Sequence, residues 1–323
     1  MAKPDELSFD FLTGREGEFM EKVIGELASV DWAKPIINDV EASGGLKGEN
    51  KARLFELRFG YELNRKGIHP QYEVPGEGDS RLDFGLKAGG QDFLIEMMRL
   101  EETAAAKAAT TKEEFEDGAV MIKRELSTDA GDKKQSEEGE TLKAVQRICQ
   151  KFERDGKPHK FPPITNATHV LLVDVRTLLN GGDKWDRVNV GLGGDFVPHE
   201  FYRRYYEGKL ITGVFNKRTT LKGAAEARDR LHFIGFVNEK SYEDGSFGPS
   251  IEFIANPNLF KSAEEVQAAL AGWPLGDPVI LNAPKVPPRL QRVMDAMSNL
   301  KVGEAAELSE LLRVRWGLKP PSP

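Results

Sequence analysis

Apolar residues recur at helical spacing early in the chain: Phe19, Val23, Ile24 and Leu27 predict a helix within residues 15–30. Gly44, Gly45 and Gly48 interrupt it. A second helix is expected from about Glu49 to Lys66, with Ala52, Phe55, Phe59 and Leu63 as its buried stripe and Gly67 as its stop. The period then changes to two, predicting strands at 71–74, 81–88 and 91–98. Residues 101–140 are rich in Ala, Lys and Glu. Their first part reads as helix, and the polar run Ser127–Glu140 reads as part of a mobile insertion near 103–140. Helical spacing resumes at Leu142, Val145, Ile148 and Phe152. A linker with Pro158, Pro162 and Pro163 leads to a strand at 170–175. Further strands are expected at 210–215, 231–237 and 251–254, with helices at 262–271, 288–300 and 304–315. Asn256-Pro257-Asn258 marks a turn. The mixed order of helices and strands predicts an α/β fold with a mixed central sheet flanked by helices. Three regions follow: a helical segment at 1–49, a core at 50–175, and a C-terminal α/β elaboration of the sheet at 176–323.

The segment Arg81–Met98 carries the candidate chemistry. Gly89-Gly90 signals a two-residue hairpin turn, because both positions tolerate positive φ. That turn sets Ala88 opposite Gln91, Lys87 opposite Asp92 and Leu86 opposite Phe93. It then sets Phe84 opposite Ile95 and Leu82 opposite Met97, so one face is apolar throughout. On the other face Asp83 falls opposite Glu96. Directly opposed side chains lie about 5 Å apart at Cβ, where like charges repel. Two carboxylates so placed suit a hard divalent cation such as Mg²⁺ or Mn²⁺. In the same register Arg81 falls opposite Met98 and shares the acidic face, Lys87 is held by Asp92, and Arg99 points to the other face.

An aspartate on one strand followed by Glu96 on the next resembles the metal-binding signature of the PD-(D/E)XK nucleases. The element order over 50–175 is similar to that superfamily's core, which implies a restriction-endonuclease-like fold. The resemblance implies a further acidic ligand from the preceding helix, where Glu56 matches by position. It also implies that the following helix approaches the substrate, with Lys143, Gln146 and Gln150 as candidates for nucleic-acid contact. Two positions depart from the pattern: Leu82 replaces the signature's proline, and Met98 replaces its lysine. That lysine normally helps position or activate water, and Arg81 is the candidate electrostatic substitute, although a guanidinium is a poor proton acceptor.

The formal net charge of −7 argues against a surface that coats nucleic acid indiscriminately, and leaves local basic stretches at 143–160 and 203–230. Taken alone, such runs read as solvated helix faces. Cys149 is the sole cysteine, which excludes an internal disulfide and a thiolate zinc cluster; it reads as a small buried hydrophobe. The histidines lack helical zinc spacing: His69 reads as structural and His232 as a satisfied buried residue. Gly191–Asp195 reads as a connection, and Phe201–Tyr206 as the aromatic side of a helix. No apolar run has membrane-spanning length, and the N-terminus lacks a secretory pattern, so a cytoplasmic setting without membrane partners is expected. The resulting expectation is a Mg²⁺- or Mn²⁺-dependent nuclease, with DNA rather than RNA as the expected substrate. Asp83 and Glu96 are its metal ligands, and Glu56 is an outer or additional one. A homodimer is an allowed assembly, and restriction, repair and bacterial defence roles are all compatible. The alternative is a catalytically inactive protein of that fold that binds nucleic acid or a protein partner, as Met98 suggests.

Overall fold

The computed structural model describes residues 12, 14–101, 103–114, 120–124, 137–175, 184–193, 205–206, 209–210, 212–237, 247, 250–281 and 311. Helices α1 (Gly14–Leu27), α2 (Lys34–Ala42) and α3 (Lys51–Arg65) come first. A meander follows: β1 (Gln71–Pro75), β2 (Arg81–Ala88) and β3 (Gln91–Arg99). Then come α4 (Ala104–Ala108), the hairpin β4 (Thr110–Glu114) and β5 (Val120–Arg124), α5 (Glu137–Gln150), the short hairpin β6 (Glu153–Arg154) and β7 (Lys157–Pro158), and β8 (Thr168–Asp174). The remainder is α6 (Lys184–Gly191), β9 (Tyr205–Tyr206), β10 (Lys209–Leu210), α7 (Ala224–Arg230), β11 (Phe233–Val237), β12 (Ser250–Ala255), α8 (Ala263–Leu270) and β13 (Asp277–Ile280).

Seven strands form one mixed sheet in the order β1-β2-β3-β8-β11-β12-β13. The meander is antiparallel, β8 joins β3 in parallel, and β11 joins β8 in parallel. This is the α/β class with a mixed sheet and flanking helices that the sequence predicts. Strand β8 is central and its seven residues are all buried, as expected for a strand covered on both faces. The even and odd positions divide between two cores. Ile95, Met97, Val170 and Leu172 pack with α1, α2 and α3. Met98, Leu171, Val173, Ile234 and Phe236 pack with α5, α6 and α7.

Helix α3 is buried on more of its circumference than a single stripe predicts. Leu54, Phe55, Leu57, Phe59, Tyr61 and Leu63 are all buried, because α1 and α2 cover its outer side. Ala52, assigned to the stripe, is instead exposed, while its neighbour Lys51 is buried and pairs with Glu16 of α1. The region after β3 also departs from expectation. Thr110–Glu114 and Val120–Arg124 pair as a hairpin where helix was expected. β-branched Thr110, Thr111, Val120 and Ile122 favour strands over the local Lys and Glu content. The strand expected at 210–215 is not one: Val214 and Phe215 are buried in a turn capped by the carbonyls of Val190 and Gly191. Most of the polar run 127–140, the aromatic segment before Tyr205, the helix expected at 288–300 and, apart from the helical Leu311, the one expected at 304–315 lie outside the described residues.

Asn256 shows how the later strands are tied together. It is fully buried, and its Nδ2 donates to the carbonyls of Arg228 at 2.8 Å and Leu231 at 2.7 Å, closing the turn after β12 onto α7. No helix of the described residues is long and apolar enough to cross a membrane.

Phe59 joins α3 to the sheet through ring contacts with Phe84, Phe247 and Trp273. Phe59→Ala removes a fully buried ring, and is expected to lower unfolding free energy by about 3–5 kcal/mol, read from the urea midpoint.

Candidate functional site

The β2–β3 turn has the expected register. Gly89 and Gly90 have φ of 55° and 81°, and pairing runs from Ala88 with Gln91 through Lys87 with Asp92 and Leu86 with Phe93 to Phe84 with Ile95. The ladder ends there. The expected continuation of Asp83 to Glu96, Leu82 to Met97 and Arg81 to Met98 is not made by backbone pairing. Instead the Met97 N–H donates to Asp83 Oδ2 at 2.6 Å. Beside this point Glu73 of β1 takes a left-handed φ of 52°, a costly conformation for a residue with a Cβ. Past it, Val74 and Leu82 pack in the second core rather than with Phe84.

Three carboxylates influence one another at this opening. Glu96 is fully buried. Burial pushes the Asp83 carboxyl well above the usual range, and the negative charges of Glu96 and Glu56 push it further. Burial raises Glu56, on α3, to about 7, against a hydrogen bond that Tyr72 Oη donates to Glu56 Oε2 at 3.1 Å. These directions mean that the site resists holding three anions at once.

Two lysines supply the opposing charge. Lys151, just past α5, donates from Nζ to Glu96 Oε1 at 2.8 Å. Lys160 Nζ lies 3.0 Å from the same oxygen and donates to the Arg81 carbonyl at 2.8 Å. Burial alone would lower Lys151, but Glu96, Asp83 and Glu56 outweigh it and the pKa is raised, so its nitrogen stays an ammonium at neutral pH. Lys160 is locked from its backbone. Its N–H donates to Ser80 Oγ at 3.1 Å, and its carbonyl accepts from Glu77 N–H at 2.8 Å. Its own φ is 66°, another left-handed residue. A Cβ on Gly76 would stand 2.4 Å from the Lys160 carbonyl oxygen, so glycine is needed there for the clamp to close.

The other candidates fall elsewhere. Arg81 is exposed, and its guanidinium donates to the Glu73 carbonyl at 3.0 Å on β1. Lys151 and Lys160, not Arg81, are the cations that pair with Glu96. Met98 is buried in the second core. Lys143 and Gln146 are partly buried on α5, and Gln150 is exposed at its end. Lys87 is exposed opposite Asp92. Arg99 forms a buried pair with Asp174 of β8 at 3.4 Å. Cys149 is buried with its thiol pushed up to about 12, which suits a packing role. His232 accepts the His169 N–H at 3.0 Å, a satisfied histidine with its pKa lowered to about 4 by burial.

The sequence reading missed Tyr72, Lys151 and Lys160 as site residues. The two lysines did carry a signal: Lys-Phe occurs at 151–152 and again at 160–161, on either side of an Asp-Gly turn. The two phenylalanines stack with centroids 5.4 Å apart, which fixes both lysines at the base of one hairpin.

No family model matches the chain, and searches of curated proteins and of solved structures give no match.

Glu96 Oε2 is a fully buried oxygen with no hydrogen-bond partner, while Oε1 takes both ammonium groups. An orphaned carboxylate oxygen beside the raised Asp83 is a donor pair suited to a hard cation. Among the described residues no three His, Cys, Asp or Glu side chains form a ready metal cluster. Mg²⁺ is commonly held by one or two carboxylates, with water and phosphate filling the other positions, so the donor set fits in that sparse manner.

The raised Glu56 has a consequence for stability. Its carboxyl titrates near 4.5 when unfolded and about 7 when folded, so the folded state binds more protons between those values. Stability from this group is full below about pH 4.5 and is lost as pH rises through about 7. Glu56→Gln keeps an acceptor for Tyr72 and removes the titration. It is expected to raise stability at pH 8 by about 1–3 kcal/mol and to give no such gain at pH 4, measured by denaturant unfolding at both values.

Proposed function

We propose that this chain is a divalent-metal-dependent nuclease of the PD-(D/E)XK type, hydrolysing phosphodiester bonds with DNA as the first substrate class to test. The observation that carries the reading is the pair of ammonium groups on Glu96. They supply, from another part of the chain, the positive charge that Met98 cannot. The order α3-β1-β2-β3-α5-β8, with β8 parallel to β3, also agrees with the core that the family resemblance implies.

Asp83 and Glu96 would hold Mg²⁺ or Mn²⁺, with Glu56 as an outer or additional ligand. A bound cation would polarise the phosphodiester and lower the pKa of a water. Lys151 and Lys160 fix the Glu96 carboxylate and place positive charge where a phosphate would sit; as ammonium groups they stabilise charge and do not accept protons. Tyr72 Oη, which donates to Glu56 Oε2, would hold that carboxylate in place as an outer ligand.

Calorimetry with Mn²⁺ should show one or two ions bound by the native chain and none by Asp83→Ala. Cleavage of DNA should require the metal, vanish in Asp83→Ala, and fall by roughly 10²–10³ in Lys151→Ala, the usual cost of removing one electrostatic stabiliser. Unchanged cleavage in Lys151→Ala would remove the lysines from the mechanism.

A second reading has a specific observation behind it. The lysines already neutralise Glu96, and the described residues hold no three-ligand cluster. An inactive protein of the same fold, binding nucleic acid or a protein partner, would show neither Mn²⁺ binding at millimolar concentration nor cleavage.

A further inference from the structure

We propose that the β6–β7 hairpin, carrying Arg154, Lys157 and His159 between Lys151 and Lys160, is the surface that grips the phosphate backbone of a nucleic acid beside the carboxylate site. The inference rests on the phosphodiester reading of that site and assigns the contact to this hairpin rather than to Lys143, Gln146 and Gln150 of α5.

The hairpin is built rigidly at its base. Phe152 and Phe161 are fully buried and stacked, and the His159 N–H donates to the Phe152 carbonyl at 2.8 Å. Glu153 is tied to the start of α7: its Oε2 accepts from Gly223 N–H at 3.0 Å, and its Oε1 lies 3.5 Å from Lys222 Nζ. Asp155 and Gly156 make the turn with φ of 53° and 76°, a two-residue hairpin turn of the left-handed kind.

At the tip the design works against stability. Arg154 and Lys157 are direct cross-strand partners, and both are exposed. Like charges in that relation repel. Asp155 in the turn between them offsets part of that repulsion, and a polyanion would offset the rest. Lys160 and Arg154 lie in one field, since both act on His159, whose pKa is lowered by burial and then by their positive charges. The chain as a whole has a net charge of −7, so a local cationic hairpin next to a carboxylate site concentrates attraction at one place. Because the base residues Lys151 and Lys160 reach Glu96, a backbone held at the tip lies next to the site.

The test is binding, not cleavage. Affinity for a fluorescein-labelled DNA duplex and single strand is measured by anisotropy across a salt series, in EDTA, for the native chain and Arg154→Ala/Lys157→Ala. A second double variant, Lys22→Ala/Lys34→Ala, removes two exposed charges from α1 and α2, which cover the other face of the sheet. The hairpin variant should bind roughly 10–100-fold more weakly, and its salt slope should shrink by about two, one per lost phosphate contact. The Lys22/Lys34 variant should match the native chain. Equal loss in both double variants, equal affinity in all three proteins, no binding by the native chain, or equally tight binding of poly-glutamate would each overturn the inference. Hairpin-dependent binding without metal-dependent cleavage would sustain it and sink the nuclease reading instead. Melting temperatures confirm that both variants fold.

Discussion

The burial of the Glu96 carboxylate is the constraint on which the site depends. An ionised carboxylate at zero exposure costs several kcal/mol unless it is paired. Here the pairing comes from two chain segments that are distant from it in sequence, at Lys151 and Lys160. Both segments must be docked for the charge to be tolerated, so the 151–160 hairpin is as much a part of the sheet's centre as β3 is. The strained φ at Lys160 and the glycine demanded at position 76 are local costs accepted to hold that docking.

The sheet supplies what the hairpin cannot. Parallel pairing with the buried strand β8 holds β3 along its length, from Phe93 to Arg99. Antiparallel pairing with β2 stops at Phe84 and Ile95, and Asp83 takes the Met97 N–H that a continuing ladder would have used. The opening brings Asp83 and Glu96 into one electrostatic group with Glu56, which arrives from the helix layer with Tyr72 behind it. The acids therefore come from three elements and the cations from a fourth region.

The parts of this arrangement with a local cause were legible in the sequence. Gly89-Gly90 specified the hairpin and its register because the turn type leaves no freedom. The apolar run at 170–175 gave the central strand, and the spacing of Phe55, Phe59 and Leu63 gave α3. What failed had non-local causes. Arg81 shared a face with Asp83 only if the pleat continued, and the left-handed Glu73 on the neighbouring strand ends that continuity. Lys151 and Lys160 looked like members of a solvated basic run because charge runs carry no sign of what they face. Only the stacking of Phe152 on Phe161, a contact between residues nine apart, turns both lysines inward.

Positive charge reaches Glu96 from a hairpin and not from its own strand. A lysine at position 98 would project from the same rigid strand as Glu96, two residues on, and its place would be filled by whatever the core requires. The core at that point requires an apolar side chain: Met98 packs with Leu82 and Leu100 in the second cluster. Charge supplied from a hairpin avoids that conflict, because the hairpin's stems are anchored by their own phenylalanines and its lysines are only partly buried. Partial exposure also keeps the ammonium groups within reach of a ligand from solvent, which a lysine buried at position 98 would not be. Position 98 thus holds an apolar side chain that packs the second core, and positive charge reaches Glu96 from the hairpin.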